Sequence, residues 1–458
     1  MLNKLKYPLL IGLGVLLVYV IFKPQSSHES ATKITYPALK DYNLLFISLD
    51  TLRADRLGLY GYERETSPVL DELAAKSVVF DEAISVSSWT LPTHVTFFTG
   101  LFPGVHGVNR PARLRVDADT VMLAELMQDQ GYRTFAYTGG GYVGGRYGFE
   151  RGFEHYGVHR GKKRDDSYDI PGSLESIQNK ILEFKSDEKF FIFLHTFDIH
   201  CPYNSPEPFM SMFNSDDAQF INPRRCGTNF YNKRKMTPGQ IKYISDRYDG
   251  GIRWVDTKLK ELFDFMQERG LMENTVIIVT SDHGEELHDH GSIGHKRSLY
   301  RELIRVPLIF YVPGVEPGRI EIEVSSVDIF DTIVEMLAIK NAPKTNGFSL
   351  WPLINIKDES IYKRKFQFSE LDGELALRSH IDGEGHLINN LDEGQVMYFD
   401  LKKDPATLNN ISDQETSEVR RRLEEIEILE KTFSRQEAET FESQSQEEIE
   451  RLRSLGYL

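Results

Sequence analysis

Three stretches of the chain concentrate side chains able to hold a cation or an anion. Asp50-Thr51 closes one apolar run, His195, Asp198 and His200 lie in and after a second, and Ser281-Asp282-His283-Gly284-Glu285 follows a third. Carboxylates and imidazoles are ligands for divalent cations, and imidazole also titrates near neutral pH, where it can move protons. One Asp after a strand is ordinarily a helix cap. Three such ends, all carrying Asp or His, call for another explanation. A fourth element, Trp89-Thr90-Leu91-Pro92-Thr93-His94, precedes a predicted helix over Val95 to Phe98. A hydroxyl at a helix head faces free N–H groups and the positive end of the dipole, a setting that favours an anion. A plain capping role for Thr90 is the alternative. The fifth element, His288-Asp289-His290-Gly291 with Gly294-His295-Lys296, is too polar and too rich in glycine for a packed core. It reads either as part of a site or as a solvated loop.

These residues need elements to position them. Asn43 to Leu49 (NLLFISL), Phe190 to Phe197 (FFIFLHTF), Thr275 to Thr280 (TVIIVT) and Pro307 to Val312 (PLIFYV) are continuous apolar runs. That pattern suits strands buried on both faces. Helical patterns lie between them: Ser67-Pro68-Val69 opens one that runs to about Ser77, Thr120 to Gln130 ends at Gly131, and Pro238 to Arg269 ends at Gly270. The alternation predicts an α/β sandwich with a mostly parallel central sheet. In such sheets ligands gather at the carboxyl ends of strands, where the three polar clusters fall. Tyr203 to Met236, rich in Pro, Asn, Ser and Phe, reads as a long loop forming a lid or rim. From about Pro343 short strand-like pieces (Lys365 to Ser369, Glu374 to Arg378, Val396 to Asp400) and the Asp404-Pro405 turn predict a small antiparallel C-terminal subdomain. The expected organisation is an N-terminal anchor or signal over 1–23, a linker over 24–41, the main domain over 42–342, the subdomain over 343–411 and a charged helical tail over 412–458, read as a solvated surface helix.

Composition bounds the function. Of 458 residues 40% are hydrophobic and 27% charged, a globular balance. Lys plus Arg is 54 against 69 Asp plus Glu, a net charge of −15, which argues against nucleic acid as a partner. Two cysteines, Cys201 and Cys226, cannot build a thiolate zinc site; a local bridge and two buried thiols are both open. Lys4 and Lys6 precede an apolar run from Tyr7 to Phe22, about 24 Å as a helix. No convincing small-residue pair marks cleavage, so the expectation is an uncleaved membrane anchor with the body outside the cytoplasm.

Taken together, the motifs resemble the sulfatase branch of the alkaline-phosphatase superfamily. The resemblance rests on Ile47-Ser48-Leu49-Asp50-Thr51-Leu52-Arg53-Ala54-Asp55, on Thr90-Leu91-Pro92-Thr93-His94 with Phe98-Thr99-Gly100, and on Ser281-Asp282-His283-Gly284-Glu285. It extends to Gly294-His295-Lys296 with Tyr300 and Arg305-Val306-Pro307-Leu308-Ile309, and to Tyr398-Phe399-Asp400-Leu401 with Asp404-Pro405 and Asn409-Asn410. It implies one divalent metal ion (Ca, Mn or Zn) at Asp50, Asp282 and His283, with Thr90 as fourth ligand and nucleophile. Lys296 and His200 match positions that contact sulfate or phosphate oxygens, and His94, His195 and His295 would line the same pocket. Where sulfatases proper carry a Cys or Ser that is oxidised to formylglycine, followed by Pro and Arg, this chain has Thr90, Pro92 and His94. A β-methyl bars that aldehyde. Thr51 stands at the usual second aspartate and His283 at the usual Asn or Gln. The family's Gly-Lys-x-His element is not evident around Gly139 to Gly148. The Asp/Thr/Asp/His set is similar to phosphate-handling members such as lipoteichoic-acid synthases and phosphoethanolamine transferases.

The resemblance therefore implies hydrolysis of sulfate or phosphate esters through a covalent Thr90 intermediate, with His295 or His195 protonating the leaving oxygen. The alternative is transfer of a phosphoglycerol or phosphoethanolamine group to an envelope lipid or glycan; a non-catalytic binding protein is the third possibility. A single membrane segment favours hydrolysis. Arg160 to Arg164 and Lys233-Arg234-Lys235 could attract an anionic glycan or lipid head group, or be ordinary solvated loops.

Overall fold

The apolar runs become neighbouring strands of one sheet. In the computed structural model, which describes residues 37–110, 114–159, 169–221, 235–440 and 445–455, eight strands build it. They are β1 Asn43–Leu49, β2 Val78–Ile84, β3 Arg133–Thr138, β4 His155–Val158, β5 Phe190–Thr196, β6 Thr275–Thr280, β7 Arg305–Tyr311 and β8 Gly318–Ser325. Their spatial order is β8-β2-β7-β6-β1-β5-β3-β4. Neighbours pair in parallel except around β7, which is antiparallel to both β2 and β6. Every residue of β1, β5 and β6 is buried. The fold is the expected α/β architecture with a mostly parallel sheet. β2 and β8 escape sequence reading because acidic residues interrupt their apolar pattern, β3 because Arg, Thr and Tyr dilute its apolar run, and β4 because it has only four residues.

The register sets the site. Ser48 of β1 lies opposite His195 of β5 on one side and Thr280 of β6 on the other. Asp50, His195 and Asp282 therefore reach the same edge of the sheet, though they are 145 and 87 residues or more apart in sequence by number. Eight helices matter here: α1 Pro68–Ala74, α2 Thr90–Thr99, α3 Leu123–Asp129, α4 Ile170–Glu183, α5 Pro238–Glu268, α6 Asp328–Met336, α7 Thr416–Lys431 and α8 Gln446–Ser454. α2 starts at Thr90 itself, earlier than expected, with Pro92 in its first turn, where no N–H partner is needed. Gly100 ends it at φ +67°, donating its N–H to Thr96 O. All ten residues of α2 are buried. Phe97 meets Phe46 edge-on at 5.5 Å, and Phe98 meets Phe193 at 4.9 Å, which fixes the helix head over the ends of β1 and β5.

The C-terminal subdomain is a four-stranded antiparallel meander: β9 Gln367–Asp372, β10 Ala376–Asp382, β11 Gly385–Asn390 and β12 Gln395–Asp400. The charged tail is helical and largely solvent-facing, as expected, but a few of its side chains dock inward. α7 buries Ile426 and the whole of Arg422, which pairs with Asp382 and Glu418. α8 buries Arg451 and Leu452. High charge density misleads because these arginines find partners hundreds of residues away or on the facing sheet. Cys201 is buried and disulfide-bonded, whereas Cys226 lies outside the described residues. So do the expected anchor at 7–22, most of the linker and the basic stretches 160–164 and 233–234. Among the described residues, no helix is long and apolar enough to cross a membrane.

Candidate active site

The loop after β1 carries the first acid. Thr51 takes φ +61°, a left-handed conformation costly for a β-branched residue, and such strain persists where neighbours over-determine it. Its N–H donates to Asp282 Oδ1 at 3.3 Å, and Leu52 N–H donates to Ser281 Oγ at 2.9 Å, tying the ends of β1 and β6 together. His283 N–H donates to the same Asp282 Oδ1 at 2.9 Å. With Oδ1 so occupied, Asp282 Oδ2 is left without a hydrogen bond, and so is Asp50 Oδ1. Both side chains are fully buried. His283 Nδ1 donates to Gly284 O at 2.8 Å, so its Nε2 lone pair is turned inward. One ligand atom each from Asp50, Asp282 and His283 lie within 4.8 Å of one another.

Two carboxylates this close cannot both ionise without a cation between them. Burial and the neighbouring Asp282 push Asp50 far above the ordinary carboxylate range. Burial would raise Asp282 too, yet the imidazoles of His283, His94 and His195 hold it low. Orphaned buried oxygens beside an inward imidazole fit a divalent cation. Among the described residues, no other cluster of His, Cys, Asp and Glu has this geometry.

Thr90 Oγ1 lies on this group. It donates to Asp50 Oδ2 at 3.3 Å and sits 3.2 Å from His283 Nε2. It is the first residue of α2, so it also stands at the positive end of that helix. Lys296 enters from the loop after the short Glu286–Leu287 and Ile293–Gly294 hairpin, at φ +72°, with its N–H donating to Ser88 O at 3.2 Å. Its ammonium lies 5.2 Å from the Trp89 ring centroid and 5.4 Å from that of Tyr142. Burial lowers the Lys296 pKa to about 8.

The histidines divide by what they touch. His94, expected to line the pocket, stands 3.7 Å from Asp282 Oδ2 and has both nitrogens engaged: Nδ1 donates to Thr90 O at 2.8 Å and Nε2 accepts from Ser48 Oγ at 3.0 Å. Both nitrogens are used in fixing α2 to β1. His195 donates from Nε2 to Asp50 Oδ2 at 3.2 Å and so orients it, and burial with nearby His94 pushes the His195 pKa well down. His295 Nδ1 bonds Glu285 Oε1 at 2.8 Å, and its ring lies 4.4 Å from His283 and 5.1 Å from His200. His200 donates from Nδ1 to Cys201 O at 2.7 Å, and burial lowers its pKa to about 3. The nine residues given catalytic or ligand roles from the sequence thus gather around one site, whereas Asp198 and His290, also singled out, make their bonds elsewhere: Asp198 accepts from Asp169 and Ile170 N–H and from Trp254 Nε1, and His290 bonds Glu302 and Thr407 O. Sequence reading gave no role to Ser48, Trp89, Glu285 or Tyr142. Glu285 and Trp89 stood within the quoted motifs; Tyr142 comes from a short helical turn, Gly141–Val143, in the loop after β3, and nothing local points to it.

Comparison with known proteins places this geometry. The sulfatase family model matches residues 42–339, and the model for the C-terminal part of N-sulphoglucosamine sulphohydrolase matches residues 289–432. The chain is 24% identical over 403 residues to an ulvan-active sulfatase of Formosa agariphila, an overlap of 81% of this chain and 76% of that one. In fold it is similar to the phosphonate monoester hydrolase of Agrobacterium radiobacter, with TM-score 0.71 and 20% identity, covering 85% of this chain and 94% of that one. It is equally similar, at TM-score 0.71 and 18% identity over 86% of this chain and 98% of the other, to a protein solved with its substrate D-glucosamine-2-N,6-O-disulfate.

Proposed function

The chain belongs to the sulfatase family and is a sulfatase-type ester hydrolase, and from that premise we propose a metal-dependent reaction in which Thr90 is the nucleophile and a covalent Thr90 ester the intermediate. The observation that carries this reading is the placement of Thr90 Oγ1 between Asp50 Oδ2 and His283 Nε2, beside two buried oxygens with no hydrogen bond.

Asp50, Asp282 and His283 would hold the cation, with Thr90 beside them. Bound there, it would supply Lewis-acid charge and lower the hydroxyl pKa; an imidazole in the set moves preference from Ca²⁺ toward Mn²⁺ or Zn²⁺. The residues do the rest. The tetrahedral anion docks at the head of α2, with the Lys296 ammonium and first-turn N–H groups facing its oxygens. Thr90 Oγ1 attacks sulfur or phosphorus in line, and its proton passes to Asp50 Oδ2, which already accepts its hydrogen bond. As the new bond to Thr90 Oγ1 forms, the bond to the leaving alcohol oxygen breaks. His295, whose Nδ1 is held by Glu285, gives that oxygen a proton from Nε2. Water then attacks the Thr90 ester, giving a proton back to His295 Nε2 as it does so, while Asp50 Oδ2 returns its proton to Thr90 Oγ1; the inorganic anion leaves and both groups are restored. Thr90 has a methyl where an aldehyde would have to form, so the formylglycine route is excluded for this chain.

The substrate class is a sulfated saccharide. The relative active on ulvan and the neighbour solved with a glucosamine disulfate support it. A phosphate or phosphonate ester is the second reading, favoured by the Asp/Thr/Asp/His set and the fold neighbour that hydrolyses phosphonate monoesters. The relatives give phospho-alcohol transfer no support. We also place the body outside the cytoplasm, tethered by the apolar segment at 7–22. The disulfide at Cys201 supports an oxidising compartment.

The test is brief exposure to an aryl sulfate or aryl phosphonate, acid quenching and peptide mass analysis. The Thr90 peptide gains one sulfuryl or phosphoryl group. An unmodified Thr90 in an enzyme that turns over, with the added mass on another residue, would remove it as nucleophile.

A further inference from the structure

The C-terminal helix α8 lies beyond both matched spans, which end at residues 339 and 432. It has nine residues, seven of them polar or charged, and a helix this short is marginal in water on its own. It is nevertheless anchored. Ser445 and Glu448 close a capping box at its start, and Glu448 pairs with Arg146. Leu452 is fully buried and Leu455 nearly so.

Its centre is Arg451, which turns inward. Nε donates to Gly139 O at 2.9 Å, Nη2 donates to Asp169 Oδ2 at 2.6 Å, and the guanidinium lies 5.3 Å from the Phe197 ring centroid. Asp169 Oδ2 also accepts from Phe197 N–H at 3.4 Å. Phe197 in turn stands edge-on to His195 at 4.6 Å and to His200 at 5.5 Å. A Cβ on Gly139 would strike Asp169 and crowd Arg451 Nη2 at 3.1 Å, so the glycine admits the guanidinium. The same α8 grips the glycine-rich loop 139–148 a second time: a Cβ on Gly141 would sit 3.0 Å from Leu455 and 3.2 Å from Phe197. That loop delivers Tyr142 edge-on to Trp89 at 5.1 Å and beneath the Lys296 ammonium.

We propose that α8 is a clasp completing the active site, and that Arg451 is its positioning residue. One branch runs through Phe197 to the rings of His195 and His200. The other runs through Gly139 and Tyr142 to Trp89 and Lys296. A buried Arg–Asp pair is a poor source of stability compared with apolar packing of the same volume. What it supplies is angle: a planar fork holds a carbonyl and a carboxylate in fixed relation, which a lysine cannot do. The proposal rests on the functional reading above for its kinetic consequence, but not for its structural one.

The experiment compares Arg451→Met, Arg451→Lys and Leu452→Ala in the full chain. Leu452→Ala is the control, a buried side chain of the same helix without a hydrogen bond to the site. Two readouts are taken: kcat and KM on whichever aryl ester the unaltered enzyme hydrolyses, and amide hydrogen exchange over 139–148 and 197–200. Displacements of an ångström at a reacting centre cost roughly 10- to 100-fold. Arg451→Met therefore loses that much in kcat with a smaller change in KM, exchange rises in both segments, and Arg451→Lys recovers only part. Unchanged exchange in Arg451→Met overturns the clasp even if no tested ester is hydrolysed. A kcat loss in Leu452→Ala equal to that in Arg451→Met at matched melting temperature also overturns it, since the role would then be stability alone.

Discussion

Thr90→Val separates chemistry from stability at the point where they meet. The side chain is fully buried at the head of α2, and valine keeps its branching and nearly its volume. The loss is one hydroxyl, with its donation to Asp50 Oδ2 and its contact with His283 Nε2. Leaving those buried partners unmatched costs about 1–3 kcal/mol of stability. In a protein of this size that is a melting shift of a few degrees. For catalysis the same atom forms the bond to the reacting centre. Removing a nucleophile from an otherwise intact site costs about 10⁵- to 10⁶-fold in kcat, roughly 7–8 kcal/mol at the transition state. The two effects differ enough to be told apart. Thr90→Ser is the companion: it keeps the oxygen and loses a buried methyl, about 1 kcal/mol, and should stay within roughly tenfold of the parent. Initial rates on aryl sulfates, phosphates and phosphonates would be read alongside denaturant unfolding. A Thr90→Val enzyme that folds and keeps one per cent or so of the parent rate would refute the nucleophile assignment and the mechanism built on it.

Asp282→Asn should weaken divalent cation binding at least about 100-fold, since even outer partners of a ligand are worth 10- to 100-fold; metal content after dialysis reads it, and full retention counts against the ligand set. Lys296→Met should lower kcat about 10²- to 10³-fold, the loss expected for one fixed group facing developing charge. Burial brings Lys296 to about 8, so its cation is present below that pH and is lost as pH rises through it. An activity that needs the charge falls on that limb, and Lys296→Arg should move the limb to higher pH in the rate profile. A limb that stays put in Lys296→Arg assigns it to another group. Phe193→Ala should cost about 3–5 kcal/mol in denaturant unfolding, because the ring is fully buried against Phe46 and Phe98.

Asp50, His195, Asp282 and His283 were legible in the chain because each lies in or just after an apolar run long enough to be a buried strand, and Thr90, His295 and Lys296 because they stand in polar motifs next to a predicted helix or rich in glycine. NLLFISL-Asp50 and TVIIVT-Ser281-Asp282-His283 announce strand and ligand together, and parallel pairing then brings all such ends to one edge. Order along the sheet and the division of labour among histidines were not legible. His94 and His295 look alike as letters; one has its nitrogens tied to Thr90 and Ser48, the other bonds Glu285 through Nδ1. Those partners are chosen by the register of β1 against β5 and β6, which no local pattern encodes. Arg451 makes the same point from the far end of the chain. In a charged, periodic segment it reads as solvated surface, and only packing across 312 residues onto Gly139 turns it inward. Periodicity reports which face of a segment is apolar; which polar groups meet is decided by long-range closure of the backbone, and that exists only in the folded chain.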